Sequence, residues 1–273
     1  MMRHRRIAGR QQAAAWLLAV SLAAAGGAVA GDTAQAVEYV AVPAGLLTSV
    51  LSGGSAGNLP VKVNPFAMRS EPVTNREFQA FLAAHPEWQR SEAPPIFVSP
   101  NYLRQFSGPE SAAALARQPV TNVSWFAAQA YCESENARLP TWYEWEYVAA
   151  ADERRRDARK DPAWRARILA WYAHPSSSHA SIGGKANAYG VRDMHGLIWE
   201  WVDDFNALLV SADSRDQGDP EKLQYCGAGA ISLQDRENFA VLMRVALLSA
   251  LKGNDSTNDL GFRCVRNANK EEQ

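Results

Sequence analysis

The run NAYGVRDMHGLIWEWVDD, Asn187 to Asp204, constrains this chain more than any other stretch: a glycine-punctuated turn region leads directly into an aromatic and acidic cluster. In an extended segment successive side chains alternate, so Trp199 and Trp201 share one face and Glu200 points to the other. Asp193, Gly196 and Glu200 bracket a loop that offers two carboxylates on a pliable backbone, a donor set suited to a hard cation. The other reading of the same residues is a buried aromatic segment in which Glu200 is hydrogen-bonded to nearby amides, because a carboxylate leaves water only with partners.

With 273 residues, 47% of them hydrophobic, and 9 Trp, the chain can bury the core of one large domain. That domain is expected over residues 38–267. The segment before it reads as a secretory signal over residues 1–30: Arg3, Arg5, Arg6 and Arg10 precede an apolar run from Ala13 to Ala25 and a small-residue cleavage site at Ala28-Val29-Ala30. A second cut fits after Ala36. An uncleaved anchor is the alternative, though the run is short and Ala-rich for a span. Loss of four arginines and no acid takes the formal net charge from −1 to −5, which argues against nucleic acid as a partner. Export also permits disulfides, and the three cysteines, Cys132, Cys226 and Cys264, allow at most one bridge within the chain.

In chain order, Glu38 to Leu51 reads as a hairpin or strand pair and Val61 to Met68 as a further short strand. Thr74 with Glu77 predicts a capping box, and the helix it opens ends near His85-Pro86. Ser124 caps a second helix that carries Cys132. Thr141 with Glu144 opens a third, which places Glu146 as a buried, hydrogen-bonded acid. The charge run Asp152 to Lys160 reads as a solvated helix extension, and Asp161-Pro162 starts a helix with Trp164, Ile168, Leu169 and Trp171 on one side. His174 and His179 fall in a Pro/Ser loop and read as solvated rather than metal-binding. Arg236 to Leu251 is a long apolar segment with Arg244 and Ser249 inside it, and Leu260 to Val265 is the closing strand.

The central stretch resembles the signature of the sulfatase-modifying-factor family, which includes the formylglycine-generating enzymes: N-x-[FYW]-G-L-x-[DN]-M-x-G-N-V-W-E-W against Asn187 to Trp201 here. Three more blocks agree in order: Val73 to Leu82, Asn122 to Ala151 with its RLPT motif, and LGFRC at Leu260 to Cys264. The resemblance implies an irregular, C-type-lectin-like α+β fold, with several helices around small antiparallel sheets and little regular structure for its length. It also implies a Cys132–Cys264 disulfide and one calcium ion on the side chains of Asp193 and Glu200 and the backbone carbonyls of Gly196 and Ile198. Leu197 departs from the family's Asn in that loop. The helix expected from Pro162 replaces a loop that binds a different calcium ion in the family, so that site is not carried over.

Formylglycine-generating members of the family oxidise a substrate cysteine with oxygen and copper held by two thiolates, and soft Cu(I) needs soft sulfur. Here the matching positions, near Asp235 and at Ala240, hold no sulfur, and the usual Gly-Gly-Ser strand is Gly227-Ala228-Gly229. Arg244 and Ser249 do match the family's R-x-x-x-x-S pattern and are the candidate catalytic residues it implies, with Cys226 at the edge of the same cleft. Cys226 is either an inert small hydrophobe or an accessible thiolate that contacts a partner or metal. The iron-dependent sulfoxide synthases of the family need paired histidines that this chain lacks, so copper or iron is not expected at the family positions. The export signal and the motif YCGAGAIS resemble exported members associated with copper nitrite reductase. Two functions remain open: oxidative modification or maturation of a periplasmic protein or peptide, and a non-catalytic lectin-like module that binds a periplasmic redox protein such as copper nitrite reductase.

Overall fold

The computed structural model describes residues 37–49, 51, 60–106, 115–173, 180–208 and 239–268. The expected signal segment, His174, His179, Cys226, Asp235 and Gly227 to Gly229 lie outside them, as does the side chain of Ala240.

Among the described residues, two of the three sheets are antiparallel. Strand β1 (Tyr39–Val42) pairs with β4 (Phe66–Arg69), whose other edge pairs with β7 (Val265–Asn267). Tyr39 faces Arg69 and Met68 faces Val265, so the N-terminal and C-terminal segments share one sheet. Strand β2 (Gly45–Leu47) pairs with β3 (Val61–Val63). The expected hairpin therefore differs in its pairing: β1 and β2 each take a later strand as partner instead of each other. The expected single strand from Val61 to Met68 is likewise two, broken at Asn64-Pro65, where proline has no N–H to give to a ladder.

Helix α1 (Asn75–Ala84) starts at a complete capping box, with Thr74 Oγ1 accepting from the Glu77 amide at 3.2 Å and Glu77 Oε2 accepting from the Thr74 amide at 2.8 Å. Helix α2 (Trp125–Ser134) is capped by Ser124, and α3 (Trp142–Ala149) by the second capping box, Thr141 with Glu144. Phe78 of α1, Tyr131 of α2 and Phe262 close into one aromatic cluster, with ring centroids 5.7 Å apart for Phe78 and Tyr131 and 5.4 Å for Tyr131 and Phe262. Beside it Cys132 of α2 is bonded to Cys264, both fully buried, across a sequence separation of 132. Closing so long a loop stabilises the fold by on the order of 4 to 5 kcal/mol in the chain-entropy account.

On α3, Glu146 is buried and accepts from Trp142 Nε1 at 2.8 Å and from the Ser49 hydroxyl. The charge run after it is not a helix extension: Asp152 accepts the amides of Arg154 at 2.8 Å and Arg155 at 2.6 Å, which turns the chain instead of continuing α3. Its carboxyl group is held down to about 2 by the Arg155 side chain. Helix α4 (Pro162–Ala173) begins with proline at its first position, and the Asp161 carboxylate accepts the Ala163 amide at 2.8 Å. Helix α5 (Phe239–Ser249) precedes the two-residue strand β6 (Leu260–Gly261), which runs parallel to β5 (Trp199–Glu200). Among the described residues no helix is long and apolar enough to cross a membrane.

Candidate functional site

The parallel pair of β5 and β6 places the central stretch. The Trp199 amide donates to the Asp259 carbonyl at 2.7 Å and the Trp201 amide to that of Gly261 at 2.9 Å. Gly261 is required for this approach: a Cβ there would lie 2.2 Å from the Val120 carbonyl oxygen and 2.8 Å from Ile198. With the strands this close, Glu200 and Arg263 meet in the interior, each with 0% of its surface exposed. Arg263 Nε donates to both carboxylate oxygens, at 3.0 and 2.9 Å, and Nη2 to Oε1 at 2.7 Å; Trp145 Nε1 donates to Oε2 at 2.8 Å. The rest of the guanidinium serves backbone, donating to the carbonyls of Arg69 at 3.3 Å and Arg192 at 3.0 Å. One side chain thus ties the closing strand, the β4 end and the central stretch together.

Arg244 of α5 is buried against the same cluster. It lies over the Trp145 ring, 3.5 Å from its centroid, and donates to the Glu200 backbone carbonyl. A desolvated cation over an indole is worth about 2 kcal/mol, so this residue holds α5 on the central stretch. Ser249, the last residue of α5, has a buried hydroxyl with no hydrogen-bond partner among the described residues.

The predicted calcium set does not fit that ion in this arrangement. Both oxygens of Glu200 accept from Arg263, and a cation entering there would meet a buried guanidinium. The Asp193 carboxylate is directed elsewhere, accepting the Gly183 amide at 2.9 Å and the Gly184 amide at 3.0 Å. Asp193 itself has φ 57, in the left-handed region. Gly184 is part of its seat, because a Cβ there would stand 2.2 Å from Asp193 Oδ1. Among the described residues no group of three or more His, Cys, Asp and Glu side chains could hold a metal ion.

His195, between these two carboxylates in sequence, carries no signal beyond its place in the motif, yet it marks the other face of the site. Its ring stands edge-on to Trp145 and to Trp164 of α4, with centroids 5.7 Å away in each case. Nε2 is 2.8 Å from the Ala149 carbonyl oxygen, which can only accept, so Nε2 carries the proton and Nδ1 the lone pair. Nδ1 is buried and has no hydrogen-bond partner among the described residues. Burial, with the Arg244 charge adding to it, pushes the imidazole down to about 4, so it is neutral at pH 7. A cavity of about 420 Å³ opens beside it, walled by Trp164, Ile168 and Trp171 of α4, by Met194, and by Asp193 and Lys185. The sequence located α4 and its apolar side, but not the space that helix encloses.

The sulfatase-modifying factor enzyme 1-like domain matches residues 27–268 of this chain. Inactive C-alpha-formylglycine-generating enzyme 2 of Mus musculus is 27% identical over 255 residues, covering 78% of this chain and 79% of that protein. Formylglycine-generating enzyme of Bos taurus is 25% identical over 293 residues, covering 89% of this chain and 78% of that protein. Hercynine oxygenase of Mycolicibacterium smegmatis is 32% identical over 169 residues, which are 52% of this chain and 38% of that enzyme, so the similarity spans well under half of that relative.

Proposed function

Because the chain belongs to the sulfatase-modifying factor family, we propose that it uses that fold as an exported recognition module that binds a periplasmic protein or peptide during its maturation. It is not, on this reading, a two-thiolate copper oxidase. The observation that carries the reading is the cysteine count. The Cys132–Cys264 bond takes two of the three cysteines, so Cys226 is the one thiol left, and paired thiolates for soft Cu(I) cannot come from one chain. The second support is Arg244, one of the two matched residues of the family pattern. It is buried on Trp145 and bonded to the Glu200 backbone, in a structural role. Similarity to a relative named as inactive supports the same reading. Copper nitrite reductase, through the resemblance to exported members associated with it, is the candidate partner.

Oxidative modification of the partner is the competing reading, favoured by similarity to an active-named formylglycine-generating enzyme along 89% of the chain. Anaerobic Cu(I) titration followed by oxygen-electrode measurement with a cysteine-containing peptide separates the two. The recognition reading expects no stoichiometric copper and no oxygen uptake above the peptide alone. Stoichiometric copper with oxygen uptake that disappears in Cys226→Ser establishes the oxidase instead. Export is tested by mass spectrometry of the periplasmic fraction, where the mature chain is expected to start at Gly31 or Val37.

A further inference from the structure

The cavity beside α4 is lined by charges that do not all cancel within the protein. Asp152, Glu153, Arg167, Lys185 and Asp193 stand on its wall. Asp152 is paired with Arg155, and Glu153 with Arg167 at 3.0 Å. After those pairs, one carboxylate and one ammonium remain: among the described residues, neither Asp193 nor Lys185 has an ion-pair partner. His195 adds no charge at neutral pH.

Asp193 is oriented by backbone and not by Lys185. Two amides, from Gly183 and Gly184, fix its carboxylate, and the absence of a side chain at Gly184 leaves room for Oδ1. The same wall carries the apolar and aromatic side chains Trp164, Ile168 and Met194, each at most 9% exposed. This cavity has the size of a small-molecule site, and its lining mixes apolar side chains with charged and polar ones.

We propose that this cavity binds a small zwitterion with an apolar or aromatic body, the chemistry of an apolar α-amino acid, with its ammonium on Asp193 and its carboxylate toward Lys185. The same chemistry occurs on a free amino acid and, with its charges further apart, on a dipeptide. The proposal goes beyond the recognition reading and does not depend on it: the copper experiment can come out either way without touching this site.

Calorimetric titration of the mature chain with L-phenylalanine, L-leucine and L-tryptophan, then with phenethylamine, 3-phenylpropionate and phenylalanyl-phenylalanine, tests it. At least one of the three amino acids is expected to bind, about tenfold or more tighter than the mono-charged analogues. The dipeptide takes the free amino acid's place if the biological source is a peptide. Lys185→Ala is expected to weaken the zwitterion to the level of phenethylamine while leaving phenethylamine unchanged, and Asp193→Asn to weaken it to the level of 3-phenylpropionate. Urea midpoints of both variants verify that they are folded. No saturable binding of any zwitterion by the wild-type chain overturns the proposal, and so does equal binding of zwitterionic and mono-charged compounds.

Discussion

Asp193 and Glu200 belong to one motif, yet the fold puts them to opposite uses. Glu200 is sealed at 0% exposure, with Arg263 and Trp145 on its oxygens. Asp193 is half-buried at a cavity wall, held by backbone amides alone. The difference teaches how a buried charge is made tolerable. A carboxylate taken out of water needs a counter-ion and a full set of donors, and those come from parts of the chain remote in sequence. A carboxylate left at an opening needs only orientation, which two local amides provide.

The largest effect is expected where the sealed side is broken. Arg263→Met leaves Glu200 buried without its counter-ion, a change that costs about 3 to 5 kcal/mol. Urea unfolding should register that loss, and Arg263→Met combined with Glu200→Leu should recover part of it, since the pair is then removed together. Additive losses would separate the two residues energetically.

The next effect is in pH and belongs to the boundary between the two regions. His195 is depressed to about 4 from an ordinary value of 6.5, so between those values the unfolded chain binds a proton that the folded chain does not. Stability is therefore full above about pH 6.5 and falls as the pH drops toward 4, by on the order of 3 kcal/mol. Urea midpoints against pH should show this slope in the wild type, and His195→Phe should flatten it. On the open side, Gly184→Ala sets a methyl group on Asp193 Oδ1 and should cost about 1 to 3 kcal/mol by overpacking. Asp193→Asn loses the charge and turns one of the two accepting oxygens into an NH2 donor, while the other can still accept from the amides, so it is expected to cost about 1 to 2 kcal/mol. A loss for Asp193→Asn as large as that for Arg263→Met would erase the distinction between the regions.

What could be read from the sequence was what neighbours in sequence decide. Thr74 with Glu77 and Thr141 with Glu144 form their capping boxes as expected, because both halves of each device lie within one turn. Asp161-Pro162 starts α4 for the same reason. The Cys132–Cys264 bond came from the family resemblance and is present. The errors were in pairings between distant segments. The motif placed Glu200 beside Asp193 in a loop, while its partner Arg263 sits in LGFRC and meets it only once β5 and β6 run parallel. Strands β1 and β2 are adjacent in sequence, which predicts a pair, but their hydrogen-bonding partners are β4 and β3. The charge run from Asp152 has helical composition, but the Asp152 carboxylate takes the amides of Arg154 and Arg155, which a helix would otherwise use.

Glu200 is the counter-ion of Arg263, with both carboxylate oxygens on the guanidinium. Equilibrium unfolding of wild type and Glu200→Gln in urea, each with added calcium and with EDTA, tests this most directly. The predicted result is a wild-type midpoint indifferent to calcium and EDTA, with Glu200→Gln destabilised by about 3 kcal/mol or more in both conditions. A wild-type midpoint that rises with calcium and falls with EDTA, together with a Glu200→Gln variant within about 0.5 kcal/mol of wild type in EDTA, would contradict it.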